Sequence, residues 1–250
     1  MDSPSPSESC LVEKLSHYID LDEDSLGYLA ALEEDEKEIA KHSEVGRPGD
    51  AIEFLYVVKK GWLYSFTDMP DGRRQIVQIH HPGDVVGFPD VAFKTSSTTL
   101  RTAEDVCLCP FPKSKLDVIF SKSPQLTALL FSLAVREHAL LLDSIRVMGR
   151  MDARERLSYL FLDLLSKLRI TNKKITTTIR MPLNQTEIAD YVGLTNVYVS
   201  RSLAALEKSG LLIRGEQSIT ILDEKEMARL CDFQDRYLEI DSSWFPQNNR

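Results

Sequence analysis

The stretch PLNQTEIADYVGLTNVYVSRSLAALEKSGLLIRGEQSITIL, residues Pro182–Leu222, decides the fold of the C-terminal half. Asn184 with Glu187 three residues later is a helix-start signature, because their side-chain oxygens satisfy N–H groups that a first turn leaves open. Ile188, Ala189 and Val192 supply the inward face of a short helix, and Gly193 stands where left-handed backbone is wanted to end it. Thr195 can cap a second helix, in which Val199, Leu203 and Leu206 form an i, i+4, i+7 apolar stripe. Gly210 ends that helix, and LLIR and SITIL, parted by GEQ, read as a hairpin. Two short helices joined by a tight turn and followed by a hairpin make a winged helix-turn-helix.

Such a second helix needs an apolar face for its own domain and a polar outer face for base edges. Asn196, Tyr198, Ser200 and Arg201, with Ser202 at their margin, lie off the stripe and near the helix N-terminus, where major-groove contacts form. An arginine there can hold guanine O6 and N7 through two parallel hydrogen bonds. The helix starts at Asn184 and Thr195 can receive phosphate on free N–H groups. The candidate DNA-binding residues are therefore Asn184, Thr186, Thr195, Asn196, Tyr198, Ser200 and Arg201.

The net charge of −8 over 250 residues argues against a polyanionic partner until it is divided along the chain. Residues 1–50 carry 4 basic and 14 acidic side chains, and residues 51–143 carry 10 of each. Residues 144–214, which contain the helix-turn-helix, carry 12 basic and 6 acidic, and the remainder 4 and 8. One basic segment in an acidic chain is the footprint of an anionic partner.

Upstream of this segment, Asp152 and Glu155 start a helix to about Leu168, and Thr171–Met181 reads as a turn and a short strand. Residues 123–149 read as one long helix with apolar positions around much of its circumference. A helix wet on one side needs only a stripe about 100° wide, so the excess implies a second burial partner. The expectation is a homodimer through Leu126, Leu130, Leu133, Leu140, Leu141, Ile145 and Met148. From Glu44 to about Phe111 the period changes: FLYVV, WLYSF, IVQI, DVVGF and VCLCPF are separated by RPGD, KKGW, MPDGRR and HHPGD. Short β-branched and aromatic runs between Gly, Pro and Asp turns read as an antiparallel β domain.

Residues 1–20 read as an acidic, disordered N-terminus, the first nine alternating Ser, Pro and Glu, with helical patterns from Cys10 to about Ile39. Residues 21–122 form the β domain, 123–149 the long helix, 150–222 the winged helix and 223–250 a helical tail. No apolar run reaches the roughly 18 residues that a membrane span needs, and the N-terminus lacks a secretory pattern. A cytoplasmic protein with no membrane partner is expected. Cys10, Cys107, Cys109 and Cys231 are too few and scattered for a disulfide framework, and the Cys-x-Cys pair reads as buried thiols on a strand.

EIADYVGLTNVYVSRSLAALEKSGLL, with LYVVKKGW and HHPGDVVG in the β domain, resembles the CRP/FNR family of bacterial transcription regulators. The resemblance runs from about residue 20 to 222. It implies an α+β fold: a β-roll sensor domain akin to cyclic-nucleotide-binding domains, a dimerisation helix and a C-terminal winged helix. It further implies a homodimer on an inverted repeat in double-stranded DNA, with RNA polymerase as a further partner and no catalytic activity. The family's recognition helix carries Glu-x-x-Ser-Arg. Ser200 and Arg201 match, but Val197 stands at the glutamate position, which should change the preference at the base pair that a glutamate reads through cytosine N4. Asn196 and Tyr198 are candidates to compensate.

No cofactor is expected. Cyclic-nucleotide-binding relatives use a Gly-Glu pair on ribose and an Arg-Ser pair on phosphate. Here Phe88 follows Gly87, no Arg-Ser follows at the right distance, and Arg101 reads as a surface strand residue. An iron–sulfur cluster is disfavoured because only Cys10 lies near the N-terminus, and haem because His80 and His81 sit at a strand end before a turn. Two alternatives stand beside the signal-responsive regulator: one of the same family controlled without ligand, by abundance or cysteine oxidation, and a jelly-roll metal enzyme. The second is weakened by five histidines that do not cluster with carboxylates.

Overall fold

In the computed structural model, which describes residues 9–246, the short apolar runs between turn residues fold as strands. One compact unit takes the chain up to Thr67, Gln78–Arg136 and the chain from Glu239; a second takes Asp68–Val77 and Glu137–Leu238. The strands are β1 (Lys37–Ile39), β2 (Glu44–Gly46), β3 (Phe54–Lys60), β4 (Leu63–Asp68), β5 (Arg74–His80), β6 (Val85–Val86), β7 (Thr99–Thr102) and β8 (Val106–Pro112). They form two four-stranded sheets, ordered β1-β8-β3-β6 and β2-β7-β4-β5. Gly61 makes the β3–β4 turn at φ +80, where a Cβ would lie 2.5 Å from the Asp105 carbonyl oxygen. Only glycine fits there.

Val58, Val106 and Leu108 from one sheet pack with Leu63 and Leu100 from the other. A larger cluster joins Leu55, Val57, Cys109 and Phe111 to helices α1 (Cys10–Ser16), α2 (Glu23–Ala30), α3 (Lys115–Lys122) and the start of α4 (Pro124–Arg150). The boundary of disorder at residue 20 fails from Cys10 onward, where the helical pattern read from Cys10 forms α1 and α2. Leu11, Val12 and Leu15 give α1 an apolar face that the acidic composition around it hides, and Leu11 and Leu15 are buried. Ser9 caps α1 by accepting from the Val12 N–H at 3.0 Å. The expected disorder of the first eight residues lies outside the described residues. The helical pattern ends before Ile39, which belongs to β1.

The second unit is built on α5 (Ala153–Thr171), capped by Asp152 and Glu155 in a reciprocal capping box. It runs three residues past the expected Leu168. Around it lie β9 (Thr178–Arg180), α6 (Gln185–Val192), α7 (Asn196–Lys208), β10 (Leu212–Arg214), β11 (Ser218–Ile221) and α8 (Glu224–Leu230). The three strands form one sheet ordered β10-β11-β9. The strand read between Thr171 and Met181 thus lies beside the hairpin.

Past α8 the chain stays attached. In the second unit the Tyr237 hydroxyl donates to Asp163 Oδ1 at 2.8 Å, and Lys167 Nζ reaches Asp163 Oδ2 at 3.2 Å. In the first unit Phe245, 4% exposed, enters the cluster of Leu11, Leu29 and Leu126. Phe245→Ala is expected to destabilise the first unit by about 3–5 kcal/mol, the range for a buried aromatic ring. Chemical denaturation followed by circular dichroism measures it, and an unchanged midpoint would contradict the assignment.

Candidate nucleic-acid interface

The helix-turn-helix is assembled from local hydrogen bonds before any long-range contact is needed. Asn184 Oδ1 accepts from the Glu187 N–H at 3.0 Å, and Glu187 Oε2 accepts from the Asn184 N–H at 2.7 Å. Gly193 ends α6 at φ 66, ψ 41, a left-handed conformation that glycine adopts without strain. Thr195 Oγ1 accepts from the Tyr198 N–H and starts α7. Two side-chain bonds join the helices: Gln185 Nε2 donates to the Asn196 carbonyl at 2.9 Å, and Asn196 Nδ2 donates to Thr186 Oγ1 at 3.1 Å.

Val199, Leu203 and Leu206 are buried, as is Ser202. Ser202 therefore faces its own domain and leaves the candidate reading set. Asn184, Thr186, Thr195, Asn196, Tyr198, Ser200 and Arg201 are all exposed. Val197 is exposed as well, at 56%. With about 100° of turn per residue, Val197, Arg201, Ala204 and Lys208 point away from the buried stripe. Arg201 has no hydrogen-bond or ion-pair partner among the described residues, so its five donors face solvent.

The basic excess of this segment is partly consumed within the unit. Arg156 donates to the carbonyls of Met148 at 2.7 Å, Met151 at 3.0 Å and Val192 at 3.1 Å. That clamp joins the end of α6 to the end of α4, and nothing in the local spacing announces it. Arg146 pairs with Asp232, Arg169 with Glu224 and Arg214 with Glu207. Hydrogen bonds from Arg214 hold the Glu207 carboxyl below its ordinary range. Lys173, Lys174, Arg201 and Lys208 remain exposed, with no side-chain partner among the described residues.

The expected dimer residues divide. Leu126 is fully buried, inside the first unit's core, and Leu140 is 9% exposed. Both are committed to their own chain, a correction to the expected set. Leu130 and Leu133 are half-buried, packed on the same core cluster. Leu141, Ile145 and Met148 are exposed, and so are Phe131, Val135 and Leu142, which the expected set omits. Phe131, Val135, Leu142 and Ile145 fall at i, i+4, i+11 and i+14, a single stripe along α4. That signal is present in the sequence but is masked by the second apolar face beside it.

In the β domain the residues weighed for an effector make contacts within the chain. Phe88 lines an apolar cavity of about 10 Å³ with Leu11, Leu15, Phe111 and Leu130, about the room of a single water molecule. Arg101 pairs with Glu44 and lies 5.0 Å over the Phe66 ring. His80 Nε2 shares a hydrogen bond with Ser65 Oγ at 2.9 Å, and His81 Nδ1 lies 3.0 Å from Asp84 Oδ2. Burial pushes the Cys107 thiol up to about 11 and those of Cys109 and Cys231 up to about 12. Among the described residues no group of three or more His, Cys, Asp or Glu side chains could hold a metal ion, and no single helix is long and apolar enough to cross a membrane.

Comparison with known proteins gives this arrangement a family. Residues 155–230 match the Crp-like helix-turn-helix domain, and residues 36–123 match the cyclic nucleotide-binding domain. The first match continues past the hairpin through α8, which belongs with the DNA-binding domain. A "Probable transcriptional activator" of Rhizobium leguminosarum bv. viciae is 31% identical over 195 residues, covering 78% of this chain and 80% of that protein. The "Anaerobic regulatory protein" of Haemophilus influenzae is 28% identical over 216 residues, covering 86% and 84%. Among solved structures, FixK2 from Bradyrhizobium japonicum aligns with a TM-score of 0.69 at 25% identity, covering 78% of this chain and 96% of that one. A winged helix and a double-sheet β domain in one chain, with sequence likeness across both, show that the chain belongs to the CRP/FNR family of DNA-binding transcription regulators, which are not enzymes.

Proposed function

We propose that the chain acts in the cytoplasm as a homodimer that reads an inverted-repeat operator in double-stranded DNA, with RNA polymerase as its partner at promoters. The observation that carries this reading is the outer face of α7, where Arg201 stands exposed beside Ser200, with no partner among the described residues, directly opposite the buried Val199, Leu203 and Leu206. A helix held from behind and unpaired in front can enter a major groove without breaking any contact of its own. The exposed stripe of α4 supports the homodimer, since apolar positions at helical spacing on a surface helix suit a second copy. Two-fold symmetry then sets half-site centres about 34 Å apart, one helical turn.

The β domain acts without a cyclic nucleotide, haem or iron–sulfur cluster. Two things support this: Phe88 stands after Gly87 where a ribose-holding glutamate would be needed, and Arg101 is engaged by Glu44. Control by cysteine oxidation is the weaker alternative, because thiols held near 11 and 12 by burial are poor nucleophiles.

Selection of the purified full-length protein against random duplex DNA tests the proposal. The expected result is enrichment of one inverted repeat with half-sites one helical turn apart, bound by protein free of added ligand. No enrichment, or enrichment of a lone half-site, would overturn it.

A further inference from the structure

The recognition face of α7 pairs its arginine with methyl groups and carries no free carboxylate. Glu207 is the single acidic residue of α7. Its carboxylate accepts from the Arg214 N–H at 3.0 Å and from Arg214 Nε at 2.8 Å. Asn196 is drawn toward α6 through Thr186 and Gln185. Val197, in the first turn, is 56% exposed and lies one turn before Arg201 on the outermost line of the helix. A β-branched apolar residue is thus left more than half in solvent there, whereas Val199, two positions on, is fully buried.

Major-groove edges differ in what such a face can recognise. Cytosine offers the N4 donor, which needs an acceptor, while thymine offers a C5-methyl group that packs against apolar side chains. We infer that Val197 is a specificity-determining residue that reads a thymine C5-methyl group in each half-site. The inference rests on the operator reading above and names the base that this reading leaves open. Four residues of helix span about 6 Å and a base step about 3.4 Å, so this thymine lies within about two base pairs of the guanine held by Arg201.

Replacing thymine by uracil removes only the methyl group and tests the inference atom by atom. On the selected operator, deoxyuridine at one symmetry-related thymine position is expected to weaken binding about fourfold per half-site, about fifteenfold for both, from the lost burial of one methyl group. Val197→Ala should keep the operator and reduce this penalty at that position to less than about twofold. Val197→Glu should select a cytosine–guanine pair there, since the carboxylate accepts from cytosine N4. Both variants should melt with the parent protein, because Val197 is exposed. Failure to select any DNA would overturn the operator reading and this inference with it. Selection of an inverted repeat that tolerates uracil at every thymine, or an undiminished uracil penalty in Val197→Ala, would overturn this inference alone.

Discussion

Arg201→Ala is expected to lower affinity for the selected operator by about 10³-fold while leaving the melting temperature unchanged. The magnitude follows from the contact it removes. A bidentate arginine–guanine pair is worth roughly 1–3 kcal/mol of base discrimination, and a two-fold dimer makes it twice. Taking about 2 kcal/mol per half-site gives about 4 kcal/mol, or about three powers of ten. The fold is untouched because the guanidinium has no partner among the described residues. Removing it leaves no orphaned acid inside the domain.

The same experiment separates base reading from charge. Arg201→Lys keeps the positive charge but loses the planar fork, so most of the discrimination should go while non-specific binding persists. Lys208→Ala, about two turns beyond Arg201 on the same exposed face of α7, should instead weaken all sequences alike and lower the salt slope by about 1–2 per dimer. Fluorescence anisotropy on operator and scrambled duplexes at fixed salt measures both. Equal losses on the two duplexes for Arg201→Ala would assign that residue to phosphate and not to a base.

The helix-turn-helix is legible in the sequence because its signals are local. Cap, left-handed glycine and apolar stripe each lie within a few residues of the group they satisfy, as Asn184 with Glu187 and Gly193 after Val192 do. The β domain is legible for the same reason, through its turn residues. Contacts between distant residues are not. Tyr237 and Asp163 are 74 positions apart, and the spacing of the tail gives no hint that Phe245 belongs to a core. On α1 the helical pattern is legible from Cys10, but the acidic composition through residue 20 points to disorder where three apolar residues suffice for packing. On α4 the difficulty is surplus. Apolar residues occupy most of the circumference, and periodicity alone does not tell which face the chain's own core takes. Leu126 and Leu140 are buried, each within its own unit, while Phe131, Val135 and Leu142 are exposed.

That division makes Leu142→Asp with Ile145→Asp the variant with the second large effect: the dimer should fall apart and operator affinity drop by at least about 10³-fold. Both side chains are more than half exposed in the single chain, so the substitutions cost the protomer little. In the dimer each leaves water, and burying a leucine or isoleucine contributes roughly 1.5–3 kcal/mol. Four such residues across a two-fold seam are worth about 6–12 kcal/mol, comparable to the whole of a micromolar to nanomolar association. Carboxylates in their place add desolvation and like-charge repulsion. A monomer then holds one half-site with one recognition helix and forfeits the second helix's contribution, which accounts for the lost affinity. Leu126→Ala supplies the contrast. Because Leu126 is wholly buried in the first unit, it should destabilise the fold by about 2–5 kcal/mol and leave the dimer intact. Sedimentation velocity resolves the two cases, and an aspartate double variant that still sediments as a dimer would move the subunit interface off this face of α4.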